Sequence, residues 1–254
     1  MSDPKTKPIA IDLVGSAGTL LLFIQDEGEI SKIAQEADAL LTWLGTPPGF
    51  ITLLFYIDDE RNITAKEWPS KSTVNGGWTI PGNDLIVIYR QEEWDRVLLH
   101  ETIHAMHWDW EMPTKPLVCW GFDKDEVISP HLFEAWTELY AEWLWCGWHN
   151  IPWSEQREWQ DTQAVQILAR DIVSGRPWKE NTNIFAYYVL KAALAPHVAF
   201  LWLARNGRTP EERLDILCRL TEPEIKRLRK EATTVKPTAF ALRMTRPDSR
   251  QKNE

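Results

Sequence analysis

The chain has 254 residues, of which 44% are hydrophobic and 26% charged, a composition typical of a globular protein with an ordinary core. A formal net charge of −9 gives no field that would favour nucleic acid, so we expect no nucleic-acid partner. Three cysteines without CxxC spacing favour three thiols in a reducing compartment. Residues 1–8 are polar, and the apolar run 13–24 contains Gly15, Ser16 and Gly18 and is too short to cross a bilayer. We therefore expect no signal peptide and predict a cytoplasmic protein without a membrane partner.

The N-terminal part is predicted to combine strands with one helix. Residues 9–24 alternate weakly, which predicts a strand or a strand-turn-strand, and the apolar spacing over 29–44 predicts a helix. β-branched and aromatic runs separated by turn residues predict two hairpins, one joining 50–57 to 63–65 and one joining 76–80 to 85–89.

From residue 91 onward the apolar residues recur with a helical period. The predicted helices cover 92–110, 130–148, 154–174, 184–205, 210–220 and 222–232. Few apolar anchors remain in 236–254, which predicts a flexible tail. We therefore expect an α+β fold that forms one catalytic unit, with a β-containing portion (1–110) followed by a helical portion (111–235).

The string His100-Glu101-Thr102-Ile103-His104 lies on the first of these helices. Residues four apart project from the same helix face, so both imidazoles can reach one tetrahedral metal ion. Glu101 follows the first histidine directly, in the position from which a carboxylate can take the proton of an attacking water. This spacing predicts a Zn²⁺ site with Glu101 as the general base.

Two histidines do not complete a catalytic zinc site, which usually has three protein ligands. His107 lies about 10 Å from His100 along a straight helix axis, too far for both to bind one ion with His104 unless the helix breaks. Asp109 is a less attractive ligand for the same reason. Carboxylates spaced by four lie along the next helix, at Glu134, Glu138 and Glu142. That helix is otherwise strongly apolar, so its carboxylates need cations or hydrogen-bond donors.

These two helices together resemble the gluzincin metallopeptidases, the thermolysin-like clan in which two histidines and one glutamate bind zinc. The clan's second element corresponds here to 133–138, Phe-Glu-Ala-Trp-Thr-Glu. The resemblance implies a zincin-like fold, Glu134 as the third ligand and Glu138 as the partner that orients His100. Phe133 stands where thermolysin-like enzymes have Asn, and Glu138 where they have Asp, which places the chain in the broad clan rather than in that family. Glu138 therefore stays an alternative ligand.

The resemblance also implies roles for residues outside the two helices. Gluzincins bind the substrate backbone along an edge strand before the motif helix, and Gly76, Gly77 and Trp78 occupy that position here. A Tyr or His usually stabilises the oxyanion in this clan. Tyr188 and Tyr187 are the preferred candidates, while Tyr140 and His197 remain alternatives.

The predicted function is a zinc metallopeptidase that acts on a peptide or protein substrate. Three alternatives stay open. The first is that the motif binds no metal, and the other two arise because the motif specifies the metal chemistry better than the substrate. One is a zinc hydrolase that cuts a non-peptide amide. The other is a catalytically inactive binding protein with a zincin fold, against which the intact Glu101 argues.

Overall fold

The computed structural model describes residues 9–12, 15, 18–23, 27–46, 51–55, 62–64, 67–90, 92–109, 131–174, 183–199 and 209–245. Its strands are β1 (Ile9–Asp12), β2 (Thr19–Phe23), β3 (Ile51–Phe55), β4 (Asn62–Ile63), β5 (Gly77–Thr79), β6 (Leu85–Ile88) and β7 (Phe240–Ala241). Its α-helices are α1 (Glu27–Leu44), α2 (Lys71–Val74), α3 (Trp94–Ala105), α4 (His131–Trp148), α5 (Trp153–Ser174), α6 (Lys191–Leu194) and α7 (Pro210–Ala232). This mixed and mostly helical composition confirms the predicted combination of strands and helices.

The chain divides into two compact units. One consists of Met1–Glu60 with Asn75–Trp108, and the other of Arg61–Val74 with Asp109–Glu254. The predicted boundary at 110 is close to the second change of unit, at 108/109. The segment Arg61–Val74 also belongs to the second unit, which the sequence did not predict.

The first unit contains a five-stranded sheet with the strand order β1-β2-β3-β6-β5. The outer pairs β1–β2 and β6–β5 are antiparallel, and the inner pairs β2–β3 and β3–β6 are parallel. Parallel neighbours need a crossover connection, which α1 provides between β2 and β3. Side chains such as Leu20, Leu22 and Ile86 are fully buried in this unit. The predicted strand-turn-strand over 9–24, the helix over 29–44 and the second hairpin are confirmed.

The first predicted hairpin is wrong. Strand β3 pairs with β2 and β6, whereas β4 pairs with β7 near the C-terminus. A β-branched run of this kind is as compatible with an inner parallel strand as with a hairpin. Thr52 is fully buried, in agreement with the inner position of β3.

The second unit is formed mainly by helices. A π-helical segment, Phe185–Leu190, leads directly into α6, and it packs against both α4 and α5. Helix α7 begins with a capping box in which Thr209 and Glu212 exchange side chain to backbone hydrogen bonds. It continues through Pro223 as one helix rather than the two predicted, because the buried positions before and after the proline, such as Leu217 and Ile225, lie on one face.

The end of the described chain, 242–245, is largely buried, which corrects the prediction of a flexible tail for this part of 236–254. Leu242 and Met244 are buried among the helices of the second unit. Their backbone carbonyls accept hydrogen bonds from Tyr188 Oη at 3.4 Å and from Gln156 Nε2 at 2.7 Å. The few apolar residues of this segment therefore suffice to anchor it, and 246–254 lies outside the described residues.

The cysteines differ from the prediction of three thiols. Cys146 is a buried free thiol, whereas Cys218 is disulfide-bonded. Within the part of the chain that the structure describes, no helix is both long and apolar enough to cross a bilayer. The cytoplasmic location stays a prediction.

Candidate metal centre

Helix α3 is buried along its whole length. All twelve of its residues are buried, including the polar and charged side chains Asp95, Arg96, His100, Glu101, Thr102 and His104. An amphipathic surface helix would turn such groups to solvent, and burying a charge is costly unless it is hydrogen-bonded or paired. The polar and charged side chains of this helix therefore need partners in the protein interior.

The two motif histidines converge on one point. Their Nε2 atoms are 3.1 Å apart, and their rings meet edge to face with centroids separated by 4.7 Å. Each residue is only 6% exposed. A tetrahedral zinc ion with bonds of 2.0–2.1 Å places two ligand nitrogens about 3.3 Å apart. The pair therefore already has nearly the separation that binding one metal ion requires.

The end of α3 explains why His107 is not part of this pair. Residue Met106 caps the helix, and His107 follows with a left-handed backbone (φ 53°) and an exposed side chain. His107 is therefore exposed just beyond the end of the helix. Asp109 is half-buried beyond the helix end.

Strand β5 passes close to α3 at the level of the motif. A Cβ atom on Gly77 would lie 2.7 Å from the Val87 carbonyl oxygen, 2.7 Å from Val97 Cγ1 and 3.4 Å from Glu101 Cγ. Only glycine permits this approach, because it has no Cβ atom, so Gly77 allows β5 to pack closely against the motif helix. The strand is the last in the sheet order, so in the described sheet it pairs only with β6.

The residues around Gly77 have different surroundings. Gly76 is buried, and its carbonyl oxygen accepts a hydrogen bond from the Tyr89 amide at 3.0 Å. Trp78 is 47% exposed. The three predicted substrate-binding residues thus lie at an edge of the sheet, beside the Glu101 segment of α3, and Trp78 is the one whose side chain faces outward.

Glu134 lies in the first turn of α4, in the second unit. Its side chain is half-buried, and its Oε2 accepts a hydrogen bond from Tyr187 Oη at 3.1 Å. The Tyr187 oxygen also lies 3.5 Å from Asn183 Nδ2. Four residues along the helix, the Glu138 side chain is buried. The carboxylate stripe of α4 is therefore largely removed from solvent, as its apolar neighbours predict.

Glu142 continues this stripe and has a cation of its own. The ammonium of Lys191 contacts its Oε1, and the amides of Gln156 and Gln160 donate to its Oε2, the former at 3.0 Å. Burial raises the pKa of Glu142 to about 7; the charge of Lys191 opposes this shift, and that of Glu138 adds to it. Glu142 and Lys191 form a fully buried ion pair.

The sequence interpretation missed this partner. Lys191 follows the apolar string 184–190, and a single lysine in such surroundings is the signal that a buried carboxylate lies nearby. The distance of 49 residues between the two residues hides the relation in the sequence.

The other candidates for oxyanion stabilisation have different surroundings. The Tyr188 side chain is 1% exposed, and its hydroxyl donates to the Leu242 carbonyl oxygen. Tyr140 is buried between Trp136 and Trp143, on which its ring stacks. The half-buried His197 lies at the end of a 3-10 turn. The Tyr187 hydroxyl, by contrast, donates to the predicted ligand Glu134.

His100 and His104 belong to the first unit, and Glu134 belongs to the second. No family model, no curated protein and no solved structure matches this chain. The assignment of chemistry therefore depends on the geometry of these residues.

Proposed function

We propose that this protein is a zinc-dependent metallopeptidase of the gluzincin type with a zincin-like fold. The observation that carries the proposal is the 3.1 Å separation of the His100 and His104 Nε2 atoms on a buried helix, with Glu101 between them. At this distance the two nitrogens share a hydrogen bond if one imidazole carries its proton on Nε2, and they can bind one cation when both present lone pairs.

The proposed ligand set is His100, His104 and Glu134. Two imidazoles and a carboxylate suit zinc, and three protein ligands leave a position open for catalysis. A bound zinc ion would supply electrophilic activation of water and of the scissile carbonyl group. Glu138 is proposed as the residue that orients His100, and it is also the alternative ligand.

Glu101 is the proposed general base. Its carboxylate takes a proton from the attacking water and later delivers it to the leaving amine, which balances the hydrolysis of an amide bond. The Glu101 side chain is buried, with an exposed fraction of 6%. A site that only bound metal would not need this group.

The proposed substrate is a peptide or protein segment in an extended conformation. The edge of β5 beside Glu101 offers backbone groups for pairing with such a segment, and Trp78 offers an apolar surface for a side chain. These features favour a peptide over other amides, because a strand edge recognises repeating backbone amides.

Substituting Glu101→Gln separates metal binding from catalysis. We expect the variant to keep about one zinc per chain and to lose turnover of a peptide library by about 10²–10⁴-fold, the usual contribution of a general base. The double variant His100→Ala/His104→Ala should lose both zinc and activity. His107→Ala is the matched control, since this histidine is exposed beyond the helix end, and it should keep both.

Zinc far below one equivalent in the parent protein would overturn the proposal. Full activity of Glu101→Gln would overturn the catalytic part alone. Zinc analysis of Glu134→Ala and Glu138→Ala decides the third ligand, because only the loss of a direct ligand should abolish stoichiometric binding.

A further inference from the structure

The π-helical segment Phe185–Leu190 carries two adjacent tyrosines with different hydrogen-bond partners. The Tyr187 hydroxyl donates to Glu134 Oε2 at 3.1 Å, whereas the Tyr188 hydroxyl donates to the Leu242 carbonyl oxygen at 3.4 Å. The wider turn of a π-helix changes the angle between successive side chains, and such turns are frequent at functional sites. Within this π-helical segment, the two tyrosine hydroxyls therefore point to different partners.

Asn183 anchors the start of this segment. Its backbone is in the left-handed region (φ 58°), which asparagine tolerates better than most residues. Its carbonyl oxygen accepts the Tyr187 amide at 2.8 Å, and its Nδ2 lies 3.5 Å from the Tyr187 oxygen. Both ends of Tyr187 are thus held by the same residue.

The direction of these hydrogen bonds follows from the chemistry of the groups. An ionised carboxylate can only accept, so Tyr187 donates its single hydroxyl proton to Glu134. The Asn183 amide can only donate to the phenol oxygen. The chain of donors therefore runs from Asn183 through Tyr187 to Glu134, and the Tyr187 proton is directed at the carboxylate.

We propose that Tyr187 is a positioning residue that fixes the Glu134 carboxylate for metal binding, rather than the residue that stabilises the oxyanion. This inference rests on the proposed zinc function. A hydrogen bond to Oε2 restricts rotation of the carboxylate, so less conformational freedom is lost when the ligand binds the ion. A phenol has only one proton to donate, so the Tyr187 hydroxyl could stabilise an oxyanion only by giving up its hydrogen bond to Glu134.

Zinc affinity, measured by competition with a chromophoric chelator, tests the proposal without any assay of turnover. We expect Tyr187→Phe to weaken zinc binding by about 10–100-fold, the usual effect of losing such a partner. Tyr188→Phe is the matched control, because it removes the neighbouring hydroxyl from a backbone carbonyl instead. Its zinc affinity should stay within about twofold of the parent value.

A double-mutant cycle excludes a merely structural role. In a Glu134→Ala background, the further change Tyr187→Phe should alter the residual zinc affinity by less than about twofold, because the carboxylate on which Tyr187 acts is gone. A structural effect would instead weaken binding by the same factor in both backgrounds. Thermal unfolding in chelator checks that each variant is folded.

The outcomes separate this inference from the function on which it rests. A parent protein that binds no zinc contradicts the proposed function. Stoichiometric zinc that depends on His100 and His104, combined with an unchanged affinity in Tyr187→Phe, contradicts only the positioning role. Equal losses in Tyr187→Phe and Tyr188→Phe would also contradict it.

Discussion

The two ends of the α4 carboxylate stripe hold their charges by different means. Glu142, towards the C-terminal end, is fully buried and contacts the Lys191 ammonium and two glutamine amides. Glu134, in the first turn, is half-buried and accepts the hydroxyl proton of a neutral tyrosine. One carboxylate has a protein cation in contact, and the other is proposed to receive a metal ion.

This difference separates a structural carboxylate from a candidate ligand on the same helix. Spacing alone makes the two residues equivalent, since both lie on the face that carries residues 134, 138 and 142. Breaking a buried ion pair leaves an uncompensated charge in the protein interior, whereas a ligand carboxylate contributes mainly when the metal is bound. Disrupting the ion pair of Glu142 should therefore mainly lower the free energy of unfolding. Removing the charge of Glu134 should mainly weaken metal binding.

The largest expected effect follows from Lys191→Met. This change leaves the Glu142 carboxylate buried without its cation, and we expect the free energy of unfolding to fall by about 3–5 kcal/mol. Urea denaturation in the presence of chelator measures it. Adding Glu142→Gln to this variant removes the buried charge and should restore most of the loss. A Lys191→Met protein as stable as the parent would show that the pair is not a structural element.

A smaller effect is expected from pH. Burial raises the pKa of Glu142 from 4.5 to about 7, against the charge of Lys191 and together with that of Glu138. The folded state thus binds this proton more tightly than the unfolded chain. Its stabilising contribution is present below pH 4.5 and is lost as pH rises to about 7.

One pKa unit corresponds to about 1.4 kcal/mol, so this contribution is on the order of 3 kcal/mol. To isolate the contribution of Glu142, the unfolding free energies of the parent and of Glu142→Gln are compared across this pH range. The parent should lose stability relative to the variant as pH rises. A difference that does not change with pH would contradict the raised pKa.

The smallest effect on folding is expected at the other end of the helix. Glu134→Gln keeps an oxygen that can accept the Tyr187 proton and removes a charge that is half-buried. In chelator we expect its unfolding free energy to lie within about 1 kcal/mol of the parent value. Its zinc affinity should nevertheless fall, as measured by chelator competition. A loss of stability as large as that of Lys191→Met would erase the distinction between the two ends.

Much of the fold could be predicted from local patterns. Apolar residues at helical spacing gave α1, α4 and α5 nearly to their observed ends, because each helix buries a face defined by its own sequence. The pairing of β3 and β4 could not be predicted in this way. Strand β4 pairs with β7 from the far end of the chain, and no local signal marks that partner.

The candidate site shows the same division. The sequence by itself places His100, Glu101 and His104 on one short stretch of helix, because spacings of one and four residues have a fixed geometry there. Tertiary structure alone decided that Tyr187 rather than Tyr188 meets Glu134, since that choice depends on how the segment Phe185–Leu190 packs against α4. It likewise decided that Lys191 neutralises Glu142. Contacts between residues distant in sequence depend on how elements pack, and the spacing within one element does not encode them.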